Sequence, residues 1–170
     1  MSIAVFGADE QSELAIDVKR WVGLAEFVVK EERVRGDAEL SVIFVDEQSM
    51  ADLNERFLGG AGPTDVLAFP MDDDVLVGGR QPDTGGRGPG APGDAGEPPT
   101  VIGDVVVCPR VAARQAPEHK VTLEEELALL VVHGVLHLLN YDHAEAAELE
   151  VMQRRERELL ARFRELEHGG

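Results

Sequence analysis

Cysteine is almost absent: Cys108 stands alone in 170 residues, and a lone thiol cannot close a disulfide within its own chain. Its apolar neighbours assign it to the core as a small hydrophobe, and a reducing compartment is the expected home. Long apolar runs are missing too: the longest, within residues 127–139, falls short of the roughly 20 residues that cross a bilayer. No charged-then-apolar leader opens the sequence, so a cytoplasmic protein with no membrane partner is expected. Positive charge is scarce: 16 Lys and Arg face 33 Asp and Glu, for a formal net charge of −17. Phosphate binding draws its strength from Lys and Arg, so poor binding to free RNA is expected and DNA is not an expected partner. An RNA substrate would need a partner to deliver it. The basic residues form weak groups, with Arg110, Arg114 and Lys120 in one and Arg33, Arg35 and Arg56 elsewhere, while acidic residues crowd at 72–74, 124–126 and the C-terminal segment.

What remains is ordinary globular material, expected to fold as one domain over residues 1–170. Residues 3–6 predict a short strand, and 12–30 an amphipathic helix with Leu14, Val18, Trp21, Val22, Ala25 and Val29 at helical spacing. Residues 39–45 alternate and are rich in β-branched side chains, which predicts a strand. Asp46 can cap the helix that follows, with Met50, Leu53 and Phe57 inward, and Gly59, Gly60, Gly62 and Pro63 end it. Residues 65–69 and 104–108 predict two more buried, paired strands. Between them, a Gly- and Pro-rich stretch at about 78–100 offers almost no core anchor and predicts a disordered insertion. Thr122 and Glu125 form a capping box at the head of an apolar helix. A last helix, over about 145–167, places Leu149, Met152, Leu159 and Phe163 inward. Few strands among several helices make this an α+β domain.

The apolar helix carries the chemistry. His133 and His137 are one turn apart, so they project from one face. A third imidazole, His143, reaches the same point in space if the helix stops near Asn140, a residue that tolerates the left-handed conformation of helix ends. Three neutral imidazoles and one open position are the donor set of a catalytic zinc site, whereas structural zinc has four protein ligands and favours thiolate. The apolar surroundings predict buried rings. The spacing His-x3-His-x5-His is shared with zinc proteases of the metzincin type, which place a Glu base directly after the first His. This chain has Gly134 there, so peptide hydrolysis by that route lacks its base. The ion could still assist phosphodiester cleavage. Asp142 could orient a ligating imidazole, accept a proton, or simply bond its own backbone in a turn. His119 and His168 read as surface residues.

The run His133-Gly134-Val135-Leu136-His137-Leu138-Leu139-Asn140-Tyr141-Asp142-His143 closely resembles the signature of the YbeY family of bacterial endoribonucleases. Pro63-Thr64-Asp65-Val66-Leu67-Ala68-Phe69-Pro70 and Gly103-Asp104-Val105-Val106-Val107 resemble two further blocks of that family, in the right order. The resemblance implies a small mixed sheet packed with helices and one zinc ion held by His133, His137 and His143, with His133 also catalytic. Thr64 and Asp65, with Asp142, would lie at the substrate cleft. It implies cleavage of single-stranded RNA in maturation of small-subunit (16S) ribosomal RNA and in ribosome quality control. The partners would be the ribosomal RNA precursor, the small subunit and its assembly factors. The chain departs from the family at two places. Asn140 replaces a usual Gly, and Leu58 stands where a catalytic Arg is common, with Arg56 the nearest substitute. That second departure keeps open an alternative: an assembly factor with a mainly structural zinc and little or no nuclease activity.

Overall fold

The computed structural model describes residues 3–34, 36–71, 100–139 and 146–169. Their elements run β1 (Ile3–Glu10), α1 (Val18–Glu31), β2 (Ala38–Val45), α2 (Glu47–Leu53), a π-helical turn (Asn54–Leu58), β3 (Val66–Pro70), β4 (Thr100–Val107), α3 (Pro109–His119), α4 (Leu123–Leu138) and α5 (Ala146–Gly169). The strands form one mixed sheet in the order β1-β2-β4-β3. β2 lies parallel to β1 and β4, and β3 runs antiparallel to β4 at the edge. This is the expected small mixed sheet packed with helices. The insertion expected at about 78–100 falls almost wholly outside the described residues; its last residue, Thr100, opens β4.

Period-two alternation sends side chains to two cores. Leu40, Val42 and Phe44 of β2, with Val105 and Val107 of β4, meet Trp21, Leu24 and Val28 of α1, the apolar face of α4, and Met152 and Leu159 of α5. On the opposite face Val45, Leu67 and Val106 pack with Met50, Val111 and the buried Cys108. α5 is tied to α1 by Arg155 on Glu32 at 2.5 Å, by Arg20 on Glu167 at 2.8 Å and by Arg162 on Glu31. Phe27 and Phe163 add a tilted ring contact with centroids 5.7 Å apart.

Several boundaries differ from expectation, each for a local reason. β1 extends to Glu10 because its whole length pairs with β2, although residues 7–10 carry no strand pattern of their own. α1 starts at Val18, not at residue 12: the Gln11 side chain accepts from the Glu13 and Leu14 amides at 2.9 Å and donates to the Leu14 carbonyl at 2.8 Å, folding 11–14 into a turn. α3 is an unforeseen helix, short and poor in apolar residues, with Pro109 in its first turn and Val111, Ala112 and Ala116 buried. Phe57 is 56 % exposed instead of inward, because the π-helical turn puts an extra residue into the turn and rotates it off the α2 stripe. Leu149 is exposed as well, unlike Met152 and Leu159 on the same helix.

Candidate metal centre

The capping box forms as read: the Glu125 amide donates to Thr122 Oγ1 at 3.0 Å and the Thr122 amide to Glu125 Oε1 at 2.9 Å. From that start α4 crosses β3 and β4 as a helix buried over most of its surface. Its turn at Gly134 lies close against the sheet. A Cβ there would stand 2.6 Å from Val105 Cγ1 and 3.4 Å from Val66 Cγ2. Glycine lets the helix sit directly on the two strands, and the Glu of a zincin protease has no room at this position. A second close approach lies at Gly103, where β4 follows a register shift against β2. Gly103 has φ +146°, and a Cβ would stand 2.4 Å from the Phe69 carbonyl oxygen. Only glycine meets both conditions.

This packing holds His133 and His137 on one face of α4, with ring centroids 4.7 Å apart and planes at 76°. The rings are half-buried, not buried as expected, and the His133 side chain keeps 30 % of its surface exposed. His133 Nδ1 lies 2.6 Å from Glu156 Oε2, within hydrogen-bond distance, and Glu156 is itself buried on α5. α4 ends at Leu138, with the Leu139 amide bonded back to the Val135 and Leu136 carbonyls at 3.0 Å. That is the helix stop required for a third ligand, but Asn140, Asp142 and His143 lie outside the described residues. Among the described residues no three His, Cys, Asp or Glu converge as a metal-binding group. The two described imidazoles fit one face of a zinc site: nitrogen donors, side by side, one already held by a carboxylate.

Thr64 and Asp65 lead into β3, and Val66, the next residue, is one of the side chains that Gly134 meets. Asp65 is heavily engaged. Its Oδ1 accepts from the Val66 amide at 2.7 Å, with Thr64 Oγ1 at 3.4 Å, and its carbonyl accepts from the Cys108 amide at 2.9 Å. The Gln115 amide nitrogen bridges Asp65 Oδ2 at 3.0 Å and Glu126 Oε2 at 3.1 Å, the orientation that satisfies both carboxylates. Glu126, 2 % exposed, also accepts from His119 Nδ1 at 2.9 Å. The hydrogen bond that His119 donates to Glu126, and the charge of that carboxylate, raise the His119 pKa above the usual value. His119 is exposed, as read, but anchored. Gln115, Glu126 and Glu156 were missed from sequence. For Glu156 a signal existed: Met152, Glu156 and Leu159 share one buried stripe, and a carboxylate on such a stripe needs a partner.

Arg56 and Leu58 sit on the exposed π-helical turn, whose Gly59 amide bonds the Asn54 carbonyl. The Arg56 guanidinium lies 5.9 Å from the Phe57 ring centroid, and Phe57 meets Phe69 edge-on at 5.4 Å. Phe69 packs with the smaller core, on the face of β3 opposite α4. The basic group around α3 is largely neutralised: Arg114 grips Glu47 at 2.6 and 3.0 Å, and Arg110 lies 3.8 Å from both Glu13 and Glu47. Among the described residues no helix is long and apolar enough to cross a membrane.

A sequence profile for "Endoribonuclease YbeY" matches residues 7–164. A protein of that name from Thermobifida fusca is 46 % identical over 154 residues, spanning 91 % of this chain and 90 % of the relative. Another from Salinispora tropica is 45 % identical over 154 residues, spanning 91 % and 92 %. The solution structure of TM1509 from Thermotoga maritima superposes with a TM-score of 0.55 at 29 % identity, covering 94 % of this chain and 91 % of that one. Fold, glycine-packed histidine helix and sequence likeness over nearly the whole length agree: the chain belongs to the endoribonuclease YbeY family.

Proposed function

We propose that this chain is a zinc-dependent endoribonuclease, specific for single strands, that matures small-subunit (16S) ribosomal RNA and serves ribosome quality control in the cytoplasm. Family membership supports the endoribonuclease activity. The observation that carries the metal is the pair His133 and His137, set side by side on a helix that ends just beyond them. His143 supplies the third nitrogen in this reading, and one coordination position stays open. When bound, zinc supplies Lewis acidity toward a phosphodiester and toward water. His133 faces the reacting phosphate as well as the ion. Thr64 and Asp65 border the cleft, with Asp142 beyond the helix stop. The Asp65 carboxylate, tied to the Val66 amide, shapes the cleft edge. Arg56 is the cation offered to phosphate charge. The acidic balance supports delivery of the ribosomal RNA precursor by the small subunit or its assembly factors.

The test is cleavage of one RNA sequence as single strand and as duplex, with and without chelator, by the purified chain and by His137→Ala. Cleavage confined to the single strand, lost about 100-fold or more on chelation or in His137→Ala, and restored by zinc only in the wild type, is the expected result. Equal cleavage under all conditions would overturn it.

One observation favours a second reading. Leu58, the position at which the resemblance implies a catalytic Arg, is 64 % exposed and offers no charge to RNA. An assembly factor with a mainly structural zinc would co-sediment with small subunits, cleave no RNA and unfold on chelation.

A further inference from the structure

We infer that Glu156 is a positioning residue for the metal centre: through His133 Nδ1 it fixes the tautomer and the angle of that imidazole, so that Nε2 is the nitrogen presented to the ion. The inference rests on the zinc reading above and adds a residue from the C-terminal helix to it. Glu156 lies between Met152 and Leu159 on the buried stripe of α5, 6 % exposed where those neighbours are fully covered. A carboxylate placed there is costly unless a donor meets it. The donor is His133 Nδ1–H, at 2.6 Å from Glu156 Oε2. A neutral imidazole holds one proton, so a proton kept on Nδ1 leaves the lone pair on Nε2.

Rigidity follows from the same helix. One residue before Glu156, Arg155 bonds Glu32 at 2.5 Å and reaches the Glu31 carbonyl at 3.3 Å. Arg162 on Glu31 and Glu167 on Arg20 repeat the tie further along. The carboxylate is therefore held in place by α1, and the imidazole by the carboxylate. His137, ring against ring with His133, inherits part of that order. The bond also enriches the ring in electron density, which makes Nε2 a stronger donor to a cation.

The experiment measures zinc affinity, by competition with a chromophoric chelator, for wild type, Glu156→Gln and Glu156→Leu. Far-UV circular dichroism of the metal-free proteins and 15N-histidine NMR in mildly alkaline buffer accompany it. Glu156→Leu should bind zinc about 10- to 100-fold more weakly with the metal-free fold intact. Glu156→Gln should lose less, because its amide oxygen still accepts from Nδ1–H. The NMR spectrum should show the His133 proton on Nδ1 in wild type and Glu156→Gln, and a tautomer mixture in Glu156→Leu. A folded Glu156→Leu that binds zinc as tightly as wild type overturns the inference. If that variant does not fold, a wild-type His133 proton found on Nε2 overturns it alone. A wild-type chain that binds no zinc at all contradicts the metal reading instead, and the tautomer measurement still decides whether Glu156 orients the ring.

Discussion

Leu58 poses the sharpest question about a single side chain. A leucine 64 % exposed on a π-helical turn contributes little to the core, and Arg56 on the same turn holds the nearest guanidinium. Removing the charge in Arg56→Ala should lower kcat/KM for single-stranded RNA by about tenfold or more, while Leu58→Arg should raise it; steady-state cleavage kinetics reads both. No change in either variant would remove Arg56 from the chemistry. His119 permits a test of a different kind. Its pKa is raised by the hydrogen bond it donates to Glu126 and by the charge of that carboxylate, with Glu118 and Asp65 acting in the same direction. The stabilisation is thus complete below the unfolded-state imidazole pKa and is lost as pH rises through the raised folded-state value. Wild type should lose its Tm advantage over His119→Gln between mildly acidic and mildly alkaline pH, measured by thermal melts; a constant difference would contradict the pairing. Spacing alone revealed His133 and His137, because one turn of helix puts them together whatever surrounds them. Glu126 stayed hidden, since one acidic residue among three in a first turn reads as solvated until docking decides which turns inward, and Glu156 was legible only through the apolar stripe it shares with Met152 and Leu159.

At the scale of elements, α4 is the one that sequence described best and on which most depends. Its cap, apolar length and stop are local properties, and all three are found where the pattern put them. Thr122→Ala should cost about 1 kcal/mol of unfolding free energy through loss of the reciprocal cap bonds. Gly134→Ala adds a methyl 2.6 Å from Val105, a stiff β-branched side chain on an inner strand. The helix gains about 1 kcal/mol in propensity, yet overpacking costs about 1–3 kcal/mol. Denaturant unfolding should show net destabilisation with reduced zinc affinity, because α4 must lift from β3 and β4 and carry both imidazoles with it. A stabilised variant would show that the close approach is not needed. Elsewhere, elements were legible only where periodicity was strong. α3 escaped because Pro117 and polar residues dilute its apolar face, and the far half of β1 because pairing with β2, not its own composition, makes it a strand. The π-helical turn escaped because an α-helical wheel places Phe57 inward, and one extra residue per turn undoes that.

For the whole molecule, cores on both faces of the sheet carry the fold, and neither is built from the proposed ligands. Chelation should therefore abolish RNA cleavage while leaving the circular dichroism spectrum of the chain unchanged; unfolding on chelation would mean that zinc is structural. The charge of −17, with Arg110 and Arg114 engaged by acidic partners, leaves few cations for RNA. With one or two phosphate contacts, a tenfold rise in salt should weaken single-strand binding only about 5- to 25-fold. The mixed sheet and its helices were readable as an α+β pattern, whereas the strand order was not, because nothing local says that β4 inserts between β2 and β3. The decisive measurement is X-ray absorption at the zinc edge of the loaded protein. Three imidazole nitrogens and one oxygen at about 2.0–2.1 Å are expected, with one nitrogen lost in His143→Ala. A sulfur ligand, a fourth imidazole, or a spectrum unchanged in His143→Ala would contradict the three-histidine, open-position centre.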